Sequence, residues 1–299
     1  MTDEALISPD ARLALGGRSA FLTRCPVCSA SASSPVIELD ALVFSRCGGC
    51  GLIYKSESVA TEGEVYGERY FRYNRAKYLA KWEHRVRKCR RQIIDCLQLN
   101  PSAKALCDIG CSAGYVLEAA KRLGLDPIGV DYSAFTVGLC RERGYCAEQG
   151  SLEALPLADQ SLDIVTLKHT LEHVQRPLVA LSEVRRVLKP GGVALIVVPD
   201  AAYWKISVMP KRGKAFRPDR RGWQHHVYFY EKNLIDAAER SGLEVLVRGK
   251  AIARSERSLL EALRFGWMRF YTWFGRVTHL RQEMQIIVRR PASGSPAPR

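Results

Sequence analysis

This sequence lacks long apolar runs, a leader segment and an excess of acidic over basic residues. No stretch of about 18 uncharged apolar residues occurs, so we predict no membrane-spanning helix. The N-terminus, MTDEALISPDARLALGG, is acidic and shows no basic leader with an apolar run, so we expect no secretory signal and a cytoplasmic location. Asp and Glu number 31 against 45 Lys and Arg, giving a net charge of +14. Residues 200–299 hold 20 basic and 9 acidic residues, so 20 − 9 = +11 of this excess lies there. This charge favours anionic partners.

Cysteine is abundant, with ten residues, and four of them form two close pairs. Cys25-Pro-Val-Cys28 and Cys47-Gly-Gly-Cys50 each enclose two residues, and 18 residues separate the pairs. Zinc binds four thiolates in a tetrahedron, and each C-x-x-C turn can present two sulfurs to one ion. The spacing therefore predicts a zinc ribbon whose metal is structural, since four protein ligands leave no open position. Two redox dithiols are the alternative interpretation.

The middle of the chain alternates between strand and helix patterns. Apolar runs at KALCDIG, DPIGVDYS, YCAEQG, SLDIVTLKH and VALIVVPD are separated by amphipathic segments such as GYVLEAAKRLG and AFTVGLCRERG. LEVLVRGK and EMQIIVRR add a sixth and a seventh strand. This order predicts an α/β fold with a mostly parallel, Rossmann-like sheet of seven strands. The predicted organisation is a flexible lead-in (1–20), a zinc ribbon (21–60), a helical connector (61–100), the α/β domain (101–291, with insertions at 201–225 and 251–281) and a disordered tail (292–299).

A glycine-containing turn follows the first of these strands. Asp108-Ile-Gly110-Cys-Ser-Ala-Gly114 lets the backbone approach a ligand at the carboxyl end of the strand. Asp131 ends the next strand, where a carboxylate can accept the ribose hydroxyls of a nucleoside. A pyrophosphate site prefers G-x-G-x-x-G, but Ser112 occupies the middle glycine position and Asp108 would repel phosphate. A carboxylate there suits an ammonium or sulfonium ligand, and S-adenosylmethionine carries both cations.

Five segments then suggest a family. DIGCSAG, VDYS, LPLADQSLDIV, LEHV and RVLKPGG, in this order, resemble class I S-adenosylmethionine-dependent methyltransferases. The segments CPVC, CGGCGLIY and YGERYF resemble the zinc-ribbon-bearing bacterial branch of that superfamily. The resemblance implies that Asp108, Gly110 and Gly114 frame the methionine part of the cofactor, Asp131 the ribose and Tyr132 the adenine. Ser151 stands where many relatives place an aspartate. The complete predicted cofactor set is Asp108, Gly110, Cys111, Ser112, Gly114, Asp131, Tyr132, Ser151, Leu152 and Lys168.

A second cluster should border the transferred methyl group. His169, Glu172 and His173 follow the fourth strand, and the crevice rule places substrate at the carboxyl ends of the strands. Together with His226, these residues resemble a pattern in ubiquinone-biosynthesis O-methyltransferases and in small-RNA 2′-O-methyltransferases, where two Glu and two His surround a divalent metal. His169 replaces the first Glu of that pattern. Three interpretations stay open: a second divalent metal, general-base action by His169 or His226, and purely structural histidines.

The insertions and the charge leave the substrate open. Residues 205–221 hold seven basic residues and one Asp, which suits a phosphate clamp or a solvated loop. Residues 259–280 are rich in aromatics and could contact a membrane surface, including the inner membrane face, or form a lid or dimer surface. The leading hypothesis is methylation of a small or lipid-linked anionic metabolite. The alternatives are an RNA methyltransferase and a non-catalytic adaptor.

Overall fold

The computed structural model of the chain describes residues 22–39, 42–58, 81–202, 225–248 and 283–292. The predicted lead-in, residues 61–80 of the connector, most of the insertion 201–225, the insertion 251–281 and nearly all of the tail lie outside these residues. Among the described residues, no helix combines the length and the hydropathy needed to cross a membrane.

Three strands form the N-terminal part: β1 (Ser33–Leu39), β2 (Leu42–Cys47) and β3 (Ile53–Ser58). Helix α1 (Trp82–Leu99) leads into the main domain. The domain then runs through β4 (Ala105–Ile109), α2 (Tyr115–Lys121), β5 (Asp126–Asp131), α3 (Ala134–Glu142), β6 (Cys146–Gln149), β7 (Leu162–Lys168), a 3₁₀ turn (Leu171–His173), α4 (Pro177–Val187), β8 (Leu188–Pro199), β9 (Val227–Tyr228), α5 (Glu231–Arg240), β10 (Glu244–Arg248) and β11 (Glu283–Arg289).

The predicted seven-stranded, mostly parallel sheet is confirmed. Its order is β10-β11-β8-β7-β4-β5-β6, and only the pairings made by β11 are antiparallel. Strand β8 shows why this sheet forms its core, because the run from Val193 to Val198 is at most 1% exposed. A continuous apolar run is what a strand covered by helices on both faces requires.

The glycines after α4 serve a different purpose from the predicted one. The segment PLVALSEVRRVLKPGG has a helical pattern that ends in two glycines, which predicts a helix stop at Gly191-Gly192, but α4 ends at Val187 and β8 begins at Leu188. Leu162 of β7 pairs with Leu188, whereas Ile164 already pairs with Val193. The glycines therefore form a bulge inside the strand, and Gly191 adopts φ +80°, which glycine tolerates at no steric cost.

The ribbon sheet contains an unexpected fourth strand. Its order is β1-β2-β3-β9, so β9 of the main domain pairs with β3 of the ribbon. Both parts also share one hydrophobic core, in which the ribbon residues Val27, Leu52 and Tyr54 pack in the same cluster as Leu171 and Phe229. The ribbon is thus packed directly onto the α/β domain.

Candidate active site

The site lies where the direction of strand addition reverses. From β4 the chain continues to β5 and β6 on one side, and β7 and β8 are added on the other side. Such a reversal opens a crevice at the carboxyl ends of the strands. The glycine turn follows β4, Asp131 ends β5 and His169 follows β7, so all of them border this crevice.

The glycine turn has a left-handed backbone at three positions. Gly110, Ser112 and Gly114 adopt φ values of +77°, +48° and +88°. A Cβ atom on Gly110 would lie 2.3 Å from Thr170 Oγ1. Glycine is therefore required here both by the backbone conformation and by the close approach of Thr170. The same threonine donates a hydrogen bond to the carbonyl of Ile109 at 2.9 Å, and this contact joins the glycine turn to the 3₁₀ turn.

Asp131 is held by two backbone amides at the entrance to the crevice. Its Oδ2 accepts a hydrogen bond from the amide of Ser112 at 2.8 Å, and its Oδ1 accepts one from the amide of Ser133 at 3.0 Å. A carboxylate held in this way is fixed in orientation and retains lone pairs for ligand hydroxyls. The neighbouring Tyr132 is 65% exposed, as an aromatic ring that stacks on a ligand would be in the free protein.

Three members of the predicted cofactor set have buried side chains. Asp108 is 3% exposed and accepts a hydrogen bond from Thr166 Oγ1 at 2.5 Å. Burial raises the pKa of Asp108 to about 7, although Thr166 and Lys168 oppose the shift. Cys111 and Leu152 are 2% and 5% exposed. The side chains of Cys111 and Leu152 pack in the interior, so only their backbone groups can reach a ligand.

The remaining two members have partners within the protein. Lys168 Nζ donates to Cys89 Sγ on α1 at 3.0 Å. Ser151 Oγ accepts the amide of Glu153 at 3.2 Å. These contacts position Lys168 and Ser151 at the border of the crevice.

His169 lies between two carboxylates. Its Nδ1 is 3.4 Å from Glu172 Oε1, and its Nε2 is 3.2 Å from Glu283 Oε2. Desolvation opposes a charge on the ring, but the two carboxylates outweigh it and raise the pKa of His169 to about 9. The residue also adopts φ +57°, a conformation rarely used by residues other than glycine. Such a backbone outlier is frequent at functional sites.

Glu283 is a site residue that the sequence analysis did not identify. It begins β11 and pairs opposite Pro199, so the antiparallel strand starts at the carboxyl edge of the sheet. Its carboxylate also contacts Lys88 Nζ at 2.5 Å. His169 and Lys88 together hold the pKa of Glu283 well below its usual range. The signal available in the sequence was an acidic residue at the first position of the predicted seventh strand.

Glu172 forms the centre of a second cluster with His173 and His225. Glu172 is 1% exposed, and neither carboxylate oxygen accepts a hydrogen bond of standard geometry from the described residues. Burial would raise the pKa of Glu172, but His169 and His173 reverse this effect and lower it. Ligand atoms of Glu172, His173 and His225 lie within 4.8 Å of one another. This donor set fits a divalent metal that accepts nitrogen and oxygen ligands.

His225, and not the predicted His226, belongs to that cluster. The rings of His173 and His225 have centroids 4.8 Å apart. His226 contributes its backbone, because its amide donates to the Glu172 carbonyl at 2.7 Å. Burial and the charge of Lys55 lower the pKa of His226 to about 3, so its ring is neutral. Consecutive side chains point in opposite directions as the chain enters β9, which explains why only one of the two histidines joins Glu172.

The four ribbon cysteines come together as predicted. Sγ atoms of Cys25 and Cys50 are 3.7 Å apart, those of Cys28 and Cys47 are 3.4 Å apart, and all four lie within 4.8 Å of one another. A tetrahedron with Zn–S distances of about 2.3 Å has S···S distances of about 3.8 Å, so the geometry fits zinc. Burial opposes ionisation of Cys47, but amide donors and neighbouring thiols lower its pKa to about 7, whereas burial raises the pKa values of Cys25 and Cys50. A thiolate is the form that binds metal.

The comparisons with known proteins agree with this geometry. Residues 107–196 match the model of the methyltransferase domain family. The chain is 34% identical over 116 residues to the ubiquinone biosynthesis O-methyltransferase of Methylococcus capsulatus, which covers 36% of this chain and 48% of the relative. It is 36% identical over 109 residues to the tRNA (carboxymethyluridine(34)-5-O)-methyltransferase of Macaca fascicularis, covering 36% of this chain and 16% of the relative. The chain thus spans about half or less of the length of these relatives.

Two solved structures share the fold. An S-adenosylmethionine-dependent methyltransferase from Clostridium acetobutylicum superposes with a TM-score of 0.51 at 14% identity, covering 74% of this chain and 99% of that one. A methyltransferase from Archaeoglobus fulgidus gives 0.50 at 21% identity, covering 74% and 100%. These likenesses show the same Rossmann-like fold. By the family match, residues 107–196 form a methyltransferase domain, and the residues before it include a four-cysteine group that fits a zinc ribbon.

Proposed function

We propose that the protein transfers the methyl group of S-adenosylmethionine to a small or lipid-linked metabolite. The observation that carries this proposal is the junction at Thr170. On one side of Thr170 lies the glycine turn with Asp131, and on the other lies the cluster of Glu172, His173 and His225. A donor pocket and a group of acid–base residues thus meet at one edge of the sheet.

The chain's own residues would hold the cofactor and prepare the acceptor. Asp131 would accept the ribose hydroxyls, Tyr132 would cover the adenine, and the amides of the glycine turn would line the methionine part. When bound, S-adenosylmethionine supplies an electrophilic methyl group on a positively charged sulfur. Alignment of the acceptor with that group supplies most of the acceleration expected in such a site.

Proton removal from the acceptor is best assigned to His173 or His225. A hydroxyl that attacks the methyl carbon must lose its proton to a neutral base, while the electrons of the breaking C–S bond remain on sulfur. His169 suits this role poorly, because its two carboxylate partners favour the imidazolium form. His226 is also a poor base, because burial lowers its pKa to about 3. Glu172 would stabilise the imidazolium that forms on its neighbours.

The same three residues, Glu172, His173 and His225, would alternatively hold a divalent metal. Such an ion would lower the pKa of an acceptor hydroxyl and orient it. His169 would then contact Glu172 without binding the metal. This ligand set differs from the predicted one, which included His169 and His226. To distinguish the two mechanisms, the protein is dialysed against a chelator and one equivalent of Zn²⁺ is returned to refill the four-cysteine group. The metal-dependent mechanism then needs a further ion, such as Mg²⁺, for transfer activity, whereas the general-base mechanism needs none.

The acceptor class is proposed from the relatives and the charge. One relative is named for ubiquinone biosynthesis and another for a tRNA uridine, so both small molecules and RNA are represented. We favour an anionic metabolite because of the net charge of +14. The predicted phosphate clamp at 205–221 and membrane contact through 259–280 remain predictions. A steep salt dependence of RNA binding would instead favour the RNA methyltransferase.

Calorimetry with S-adenosylhomocysteine tests the cofactor assignment. Asp131→Ala should weaken binding at least about tenfold, because the ribose loses a charge-assisted partner worth about 1.5–3 kcal/mol. Asp126→Ala is the matched control, since Asp126 begins the same strand at the opposite edge of the sheet. Equal affinities of the two variants, or a preference of the wild-type protein for NADH or ATP, would refute the proposal.

A further inference from the structure

Within the described ranges of the chain, β9 is the only main-domain strand that pairs with the ribbon. Among the described strands it has a single partner, β3, with Tyr54 opposite Val227. The amide of Lys55 continues this ladder by donating to the carbonyl of His226 at 2.8 Å. A strand of two residues is too short to be stable alone. The ribbon therefore helps to hold this segment in place, together with the main-domain amide of Ala201, which donates to the Phe229 carbonyl at 2.9 Å.

The segment held by the ribbon includes part of the proposed reaction centre. The carbonyl of His226 is bound by the ribbon, and its amide is bound to the carbonyl of Glu172 at 2.7 Å. One residue thus links the ribbon sheet directly to the 3₁₀ turn. His225, the preceding residue, places its ring against His173. A shift of β3 would move His225 relative to Glu172.

A zinc-ligand residue makes a second link to the same region. The carbonyl of Cys50 accepts a hydrogen bond from Asn233 Nδ2 on α5 at 2.9 Å, and Asn233 is 1% exposed. A buried hydrogen bond of this kind fixes the approach of the two elements, since an unpaired buried group is costly. The glycine turn has additional support away from the ribbon, because Cys111 packs in a small cluster with Leu117 and Cys140 that contains no ribbon residue among the described residues.

From these contacts we infer that the ribbon is a positioning device for the acceptor half of the active site, with Asn233 as a positioning residue. Ordering of the four cysteines by zinc holds β3, β3 holds β9, and β9 holds His225 beside Glu172. Loss of zinc should release the acceptor half and leave the cofactor half in place. This inference rests on the proposed function only where it assigns a reaction to the acceptor half. The hydrogen-exchange and zinc-release measurements that test it need no substrate.

Hydrogen exchange on the full chain tests the coupling. Zinc is removed with a chelator under reducing conditions, and amide exchange is compared before and after. Peptides covering residues 225–230 should exchange at least about tenfold faster, while those covering 107–117 should change less than about twofold. Affinity for S-adenosylhomocysteine should stay within about threefold. Unchanged exchange at 225–230, or equal acceleration in both regions, would overturn the inference.

A milder variant separates positioning from general instability. Asn233→Ala removes the link to Cys50 and keeps all four cysteines. Gln92→Ala is the matched control, because Gln92 Nε2 donates to Gln285 Oε1 at 3.0 Å in a buried amide pair away from the ribbon. Asn233→Ala should release zinc to a chromogenic chelator at least about fivefold faster and speed exchange at 225–230.

Gln92→Ala should keep both of these quantities within about twofold of the wild type. Equal effects of the two variants would refute the role of Asn233. Asp131→Ala tests the proposed function separately, since its failure to weaken cofactor binding would leave the zinc-release and exchange results unaffected.

Discussion

Replacing Gly110 by alanine should destabilise the domain through two separable effects. The first is conformational, because a residue with a Cβ atom at φ +77° costs about 1–2 kcal/mol. The second is steric, because the new Cβ would lie 2.3 Å from Thr170 Oγ1. Forced contacts of this kind in a packed interior typically cost about 1–3 kcal/mol. The free energy of unfolding should therefore fall by about 2–5 kcal/mol.

An exposed glycine elsewhere in the domain isolates the conformational effect. Gly124 adopts a similar φ of +72°, but a Cβ atom there would have nothing within 4 Å. Gly124→Ala should therefore cost only about 1–2 kcal/mol. The steric effect is tested by adding Thr170→Ala to Gly110→Ala, which removes Oγ1 and should restore part of the loss. Thr170→Ala alone should cost about 1 kcal/mol, because the hydrogen bond to Ile109 is lost.

Urea unfolding of the cofactor-free protein measures these differences as shifts in the midpoint at constant slope. The reasoning is refuted if Gly110→Ala is no more destabilising than Gly124→Ala. It is also refuted if Thr170→Ala adds its full cost to the Gly110→Ala background, since two residues in contact should not be additive. Either result would mean that Gly110 is not constrained by Thr170.

The remaining predictions concern charge and catalysis. The pKa of Asp108 is about 7 in the folded state and about 3.9 in the unfolded state, so the wild-type protein loses stability as the pH rises between these values. The Asp108→Asn variant lacks this ionisation. In thermal melts, its free energy of unfolding should therefore increase by about 2–3 kcal/mol relative to that of the wild type between pH 5 and pH 8. A pH-independent difference would contradict this. Glu283→Gln should lower the pKa of His169 from about 9 in an NMR titration, and an unchanged pKa would exclude the proposed contact. His225→Ala should reduce the rate of methyl transfer at least about 100-fold and leave the cofactor affinity unchanged. His226→Ala should reduce the rate less. A larger loss in His226→Ala would assign the general-base role to His226 instead.

The sheet could be predicted because its strands are marked by local patterns. The run at Val193–Val198 is apolar without interruption, and it is buried without interruption. Helices between the strands likewise show their own periodicity, so the βα order is readable without long-range information. The end of α4 was harder to predict, because the sequence does not reveal whether Gly191 ends a helix or forms a bulge in the following strand.

Part of the site was predictable for the same local reason. Gly110, Gly114 and Asp131 are spaced along one βαβ unit, so a motif of about 24 residues contains the cofactor crevice. Glu283 lies 114 residues after His169 along the chain (283 − 169), and its contribution depends on the antiparallel insertion of β11 beside β8. No local pattern encodes that pairing. Residues brought in by the last strand of a sheet are found only when the strand order is known.

Strand pairing that the sequence does not reveal also explains why His226, rather than His225, was predicted as a site residue. Both residues are adjacent, both are histidines, and only the direction of a side chain distinguishes a ligand-facing residue from its neighbour. That direction is set by the register of β9 against β3, in which Val227 lies opposite Tyr54. A shift of one residue would exchange the two rings, because side chains alternate along a strand. The pairing of β9 with β3 therefore helps to decide which histidine lies beside Glu172, so the four-cysteine ribbon and the residues proposed to act on the acceptor are structurally linked.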